Sequence, residues 1–134
     1  MNQQRLVVHF TDGRVVKGHT SNFSPTDTYF VLHPPEAAPG SKGVTVEMTS
    51  LKAIFFVKDF TGQPQHVDKK EFASGGSYQG RKARVAFADG EVMVGFVAAY
   101  DPHALGFFLF PADNESNTIK VFALNSRVRE VLFL

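Results

Sequence analysis

"VVHFTDGRVVKG", residues 7–18, and "RVAFADGEVMVG", residues 84–95, are two versions of one phrase, set 77 positions apart in a chain of 134 residues. Each runs from an apolar, β-prone stretch into Asp-Gly, then into a second stretch that reaches a glycine five residues beyond the turn. Asp-Gly between such runs is the strongest short-range hairpin signal, because glycine accepts a positive φ that costs other residues steric strain. Asp12-Gly13 and Asp89-Gly90 are therefore predicted turns, and Gly18 and Gly95 fall at matching points of the strands that follow.

The likeness extends well beyond the turns. Without a gap, residues 5–34 lie over 82–111, pairing Val8 with Val85, Phe10 with Phe87, Phe23 with Tyr100, Phe30 with Phe107 and Leu32 with Leu109. After a loop that is two residues shorter in the second copy, "GVTVEM" meets "NTIKVFAL", and at the original offset "LKAIFFV" meets "VREVLFL". The chain thus reads as a duplicated unit, with a first copy over 1–58, a connector over 59–79 rich in Gly, Ser and polar residues, and a second copy over 80–134. Within each copy, short runs of Val, Phe and Ile recur at about ten-residue spacing with turn residues between them, as in small barrels and sandwiches. Strands are predicted near 5–11, 14–23, 28–33, 43–48 and 52–57, and again near 81–88, 91–100, 106–111, 118–124 and 128–134. A tight turn at "MTSL" and at "ALNSRV" is expected before each last strand.

Composition narrows the function classes. Fourteen Lys and Arg against thirteen Asp and Glu leave a net charge of +1, which gives no long-range field to steer a polyanion. With no cysteine, disulfides and thiolate metal sites are absent, which suits a reducing cytoplasm. No basic and apolar leader opens the sequence and no stretch of about 18 apolar residues occurs, so a cytoplasmic protein without membrane contact is expected. Fourteen of the aromatics are Phe and none is Trp, a bias toward core building over polar recognition.

"LVVHFTDGRVVKGHTSNFSPTDTYFVL" and "ARVAFADGEVMVGFVAAYDPHALGFFLF" resemble the first signature of Sm-like proteins: an apolar strand, an Asp-Gly or Asn-Gly turn, a glycine five residues later and an aromatic at the next corner. About thirty residues of each copy carry the resemblance. It implies an all-β fold of two tandem five-stranded, strongly bent Sm-like (Src-homology-3-like) barrels packed together, with Gly18 and Gly95 at the bends. The second Sm-like signature, an Arg-Gly or Lys-Gly near the last strands, is missing from "VEMTSLKAIF" and "VFALNSRVREVLF", and the corners "SPTDTY" and "DPHALG" lack the Asn that the first signature contributes. The family's RNA pocket therefore does not carry over. "GFFLFPADNESN" and "LKAIFFVKDF" also resemble uncharacterised bacterial proteins that occur alone or joined to signalling domains.

No constellation for catalysis stands out. The histidines at 9, 19, 33, 66 and 103 lack metal-ligand spacing, and the first three have Ala86, Phe96 and Phe110 as counterparts, which suits solvated or hydrogen-bonded rings. "SGGSYQG" is not followed by Lys-Ser or a helix and reads as hinge. Asp113 and Glu115 belong to a polar loop, and Asp12 and Asp89 are claimed by their turns. Arg81, Arg84 and "PADNESN" resemble the Arg and Asp/Asn-x-Ser elements that hold cyclic di-GMP in PilZ domains, but spacing and order depart from that pattern.

The last strands are more telling. "AIFFV" and "VLFL" are apolar at successive residues, whereas a strand at a barrel surface should alternate. One face fills its own barrel, and the other carries large side chains worth about 1.5–3 kcal/mol each when covered. A half of this size is marginal alone, so the two barrels are expected to pack through these surfaces. The rival reading brings the same surfaces against another chain. The resulting expectation is a non-enzymatic binding or adaptor module acting in protein–protein interaction or bacterial signalling, without cofactor or metal. Its candidate partner surface is Phe23, Tyr100, Phe55 and Phe133, and its partner is a protein or a second copy. The alternative is an RNA or cyclic-dinucleotide binder with Arg81, Lys82 and Arg84 as phosphate contacts.

Overall fold

The computed structural model of the chain describes residues 3–35, 42–60, 80–113 and 116–134. The connector beyond Phe60, with His66 and most of "SGGSYQG", lies outside the described residues, as does Glu115.

The protein is all-β. The first half contains β1 (Gln4–Phe10), β2 (Val15–Thr20), β3 (Tyr29–Leu32), β4 (Val44–Glu47) and β5 (Leu51–Val57), with a 3-10 turn at Met48–Ser50. The second contains β6 (Arg81–Phe87), β7 (Val92–Ala98), β8 (Gly106–Pro111), β9 (Thr118–Leu124) and β10 (Val128–Phe133), with its 3-10 turn at Asn125–Arg127. Both tight turns fall where the sequence places them.

Strand pairing repeats between the halves, residue for residue. Leu6 pairs with Gly18 and Ala83 with Gly95; Phe30 pairs with Val46 and Phe107 with Ala123; Val8 pairs with Ile54 and Val85 with Val131. Even the irregularity recurs, between His9 and Phe10 opposite β5 and between Val128 and Glu130 opposite β6. His19 and His33 exchange backbone hydrogen bonds of 2.7 and 2.8 Å where Phe96 pairs with Phe110. Each half therefore orders its strands last, first, second, third, fourth.

Turn and bend chemistry account for this shared frame. Gly13 and Gly90 hold φ of +94° and +97°, and Asp12 and Asp89 accept the backbone N–H of Arg14 and Glu91 at 3.0 and 2.9 Å, closing both hairpins as Asx turns. Gly18 and Gly95 serve a different need: a Cβ there would stand 2.5 Å from the His33 carbonyl oxygen and 2.2 Å from that of Phe110. The neighbouring strand crosses too close for any side chain.

The halves meet edge to edge. β5, last strand of the first half, pairs antiparallel with β9, fourth strand of the second, in the register Ala53↔Ala123, Ile54↔Phe122, Phe55↔Val121. Eight strands form one sheet in the order β10-β6-β7-β8-β9-β5-β1-β2, and β3-β4 continues it through the His19–His33 bridge. This series is open, and among the described residues no pairing closes a barrel. The expected barrel-on-barrel packing through both last strands is corrected accordingly. Lateral strand pairing satisfies backbone groups as well as apolar faces, which face-to-face packing of two outer surfaces would not do.

Two cores result, and the junction strands serve both. Ile54 and Phe56 of β5, with Phe122 and Leu124 of β9, enter the first core beside Leu6, Val8, Phe30 and Met48. Ala53, Val121 and Ala123 enter the second core beside Val85, Phe87, Val97 and Leu109. Successive apolar residues in "AIFFV" thus face two different interiors. "VLFL" has no such arrangement: Val131 and Phe133 pack on the second core, but Leu132 and Leu134 remain 47% and 62% exposed.

Candidate functional site

The junction between the halves shows what a covered edge looks like in this protein. Its apolar centre is a cluster of rings from both halves. Phe23 stands edge-on to Phe30, Phe56 and Phe122 at centroid distances of 5.7, 5.2 and 5.4 Å. Phe108 closes the group at 5.1 Å from Phe122 and 6.1 Å from Phe56. Such tilted and edge-on contacts align positive ring edges with negative ring faces. The Lys120 ammonium caps Phe56 and Phe108 at 4.9 and 4.7 Å from their centroids.

Polar groups close the two ends of the junction. At one end Lys52, its side chain only 13% exposed, crosses from β5 to Asp89 at 2.7 Å and to Glu91 on the second half's turn. At the other, Asn117 exchanges hydrogen bonds with the backbone of Asp59, 3.2 Å to its N–H and 3.0 Å to its carbonyl. The Lys52 ammonium holds the Asp89 carboxyl below its ordinary pKa, helped by the Glu91 backbone N–H. Burial pulls the Lys52 pKa down, but hydrogen bonds to the two carboxylates outweigh it and leave the pKa raised. Asp12, whose partners are the backbone N–H and side chain of Arg14, is lowered as well.

The second half repeats part of the ring cluster, and no strand among the described residues covers it. Tyr100, counterpart of Phe23, stands 5.1 Å from Phe107 and 5.7 Å from Phe133, the counterparts of Phe30 and Phe56. The Arg81 guanidinium lies 4.1 Å over the Phe133 ring. Among the described residues β10 has no strand on its outer side, so no neighbouring strand brings rings to Tyr100 and Phe133 as β8 and β9 bring Phe108 and Phe122 to the first half. The matching outer side of β4 is equally free among the described residues, beside Val44 at 62% and Tyr29 at 56% exposure.

The four residues expected to form one partner surface therefore separate. Phe23 lies in the ring cluster of the junction, and Phe55 packs on the second core with its ring 4.5 Å from His9. Tyr100 and Phe133 lie half-buried at the free β10 edge. Sequence reasoning missed Val44, Tyr29 and Leu132. Their signal was present as bulky apolar residues at the outward positions of edge strands, but it is visible only once the strand order is known.

The three cations expected to contact phosphate also divide. Strand alternation in β6 puts Lys82 and Arg84 on one face and Arg81 on the other, with Ala83 and Val85, where it engages Phe133. His9, His19 and His33 form no common ligand set: His9 stacks near Phe55, and His19 lies 5.1 Å from Phe60. No group of three or more His, Asp or Glu among the described residues is arranged to hold a metal ion. A groove of about 500 Å³ runs along the junction between Phe55, Val92, Met93, Leu109 and Val121, with Glu91 and Asp113 as its acids. No helix among the described residues is long and apolar enough to cross a membrane.

No curated protein and no solved structure matches this chain. A family model described as a family of unknown function, DUF6982, matches residues 2–134 and so spans both halves together with the stretch between them. The chain belongs to the DUF6982 family.

Proposed function

We propose that the protein is a non-enzymatic binding module: two Sm-like five-stranded units that act through their free strand edges in protein–protein interaction, in a cytoplasmic signalling or adaptor role. The observation that carries this reading is the ring cluster at β10, where Tyr100, Phe107 and Phe133 repeat the junction's arrangement and no strand among the described residues covers it. An edge strand that carries exposed Leu132 offers backbone hydrogen bonds for affinity and side-chain sockets for specificity, which is how β-strand addition works. The Sm-like description is supported by the common strand order of the halves and by the close-approach glycines Gly18 and Gly95 at the bends. The alternative, RNA or cyclic-dinucleotide binding, has weaker support, since Arg81 is engaged over Phe133 and lies on the face opposite Lys82 and Arg84.

A photo-crosslinking residue placed in turn at Leu132, Val44 and Ile119 tests the reading inside cells. Ile119 is 51% exposed on β9, which has strands on both sides, and serves as the surface control. Capture of a protein at the first two positions and not at the third is expected. Equal capture at all three, or none at any, would contradict it.

A further inference from the structure

The two free edges are counterparts of the two strands already joined inside the chain. The junction pairs the last strand of one half, β5, with the fourth strand of the other, β9. The last strand of the second half is β10 and the fourth of the first is β4, and these are the strands left without outer partners among the described residues. We propose that β10 of one chain pairs antiparallel with β4 of a second copy of the same chain, in the register of the β5–β9 junction. This rests on the binding-module reading and names its partner.

Transferring the register places Val131 opposite Thr45 and Leu132 opposite Val44. The backbone suits it. The Leu134 N–H donates to Lys82 at 2.9 Å and the Met48 N–H to Thr28 at 2.8 Å. Because inward and outward bonding alternates along an antiparallel strand, Val131 and Thr45 then direct their N–H and C=O groups away from β6 and β3, toward the incoming strand. Side chains suit it too. Leu132 and Val44, 47% and 62% exposed, would cover each other, and Val31 and Thr45 would lie over Phe133 and Tyr100 where Phe108 and Phe122 cover Phe56 and Phe23.

Charge is matched in part. Arg129 is the counterpart of Lys52, and Asp12 of the second copy is the counterpart of Asp89, so one cross-half ion pair can be repeated between chains. Arg14 stands where Glu91 supplies the second acid, and Thr45 replaces Phe122. The contact between chains is therefore weaker than the internal one.

Such an interface is heterologous: each added chain leaves one β10 and one β4 free, and growth stops only on closure. Sedimentation velocity over a concentration series should accordingly show species larger than dimers. Val131→Pro and Thr45→Pro each delete one outward N–H without removing an internal ladder bond, so each blocks one edge. Either variant alone is expected to be monomeric, and an equimolar mixture should form a one-to-one dimer and nothing larger. A wild-type chain that stays monomeric up to millimolar concentration, variants that keep the wild-type assembly, or a mixture that stays monomeric would each overturn the proposal.

Should the prolines unfold the chain, cysteines decide the matter, since the natural sequence has none. A Leu132→Cys/Val44→Cys chain should oxidise to a ladder of covalent oligomers, and Leu132→Cys/Thr45→Cys should not, because a one-residue slip turns the second thiol to the other face. Absence of the ladder overturns the proposal. If the crosslinker at Leu132 captures a different protein instead of a second copy, the second copy is refuted while the binding-module reading stands. No capture at all removes both.

Discussion

β5 and β10 are the same strand written twice, and they live in different surroundings. "LKAIFFV" is buried on both faces, with β1 and β9 flanking it, while among the described residues "VREVLF" is flanked by β6 alone and keeps Leu132 in solvent. Local sequence sets strand, bulge and register alike in the two copies. What differs is the neighbour, and the neighbour decides whether an apolar outer face is core or surface. Burial here is a property of strand order more than of the strand.

The sharpest way to test that difference is to truncate matched aromatics. Phe56→Ala empties a 3%-exposed site in the ring cluster and should cost about 3–5 kcal/mol in urea unfolding. Phe133→Ala, at the uncovered copy of the cluster, should cost roughly half of that or less when measured on dilute protein. Equal losses would mean that the two environments are energetically alike. Next come the bends, where the halves should behave alike: Gly18→Ala and Gly95→Ala each force a Cβ against a carbonyl oxygen and should lose about 1–3 kcal/mol. A large loss in only one half would show that the frame is not shared.

Smaller effects separate Lys52 from Arg129. Lys52→Met removes the cross-half ion pair with two partly exposed acids and should cost about 0.5–1 kcal/mol, whereas Arg129→Met should be close to neutral in dilute protein. The same pair has a pH signature. Because the folded-state pKa of Asp89 is lowered, its contribution is fully present above the ordinary carboxylate range and is lost as pH falls through the lowered value. Lys52→Met should flatten that acid limb in a series of unfolding curves.

The smallest effect concerns His9, whose counterpart is Ala86. Burial, then the nearby Lys52 charge, lowers its pKa below 6.5, so the folded state favours the neutral ring. That stability is complete above 6.5 and declines as pH falls toward the folded value. His9→Gln should remove this slope and leave the stability at pH 8 little changed.

Much of the frame was legible in the sequence because its causes are local. Asp12-Gly13 and Asp89-Gly90 announce their hairpins through φ, and the constant spacing from Val8 and Val85 to Ile54 and Val131 carries the common register. The β5–β9 junction was not legible, since edge pairing uses backbone groups that every strand possesses. The doubled apolar pattern of "AIFFV" correctly signalled two covered faces, but "VLFL" sent the same signal from an edge. Phe23, the aromatic that starts a polar corner, reads as part of a partner surface; the chain instead folds its ring against Phe56 and Phe122. Cations at 81, 82 and 84 read as a patch, yet strand alternation divides them.

The most direct measurement is residue-resolved amide exchange at Ile54 and Val131 in dilute protein, because the two amides occupy the same register position and point to the same outer side. The Ile54 amide, directed at β9, should exchange as slowly as the core, while the Val131 amide should exchange orders of magnitude faster and slow down as the protein is concentrated. Equal protection of the two at every concentration would contradict an account in which the neighbouring strand alone distinguishes them.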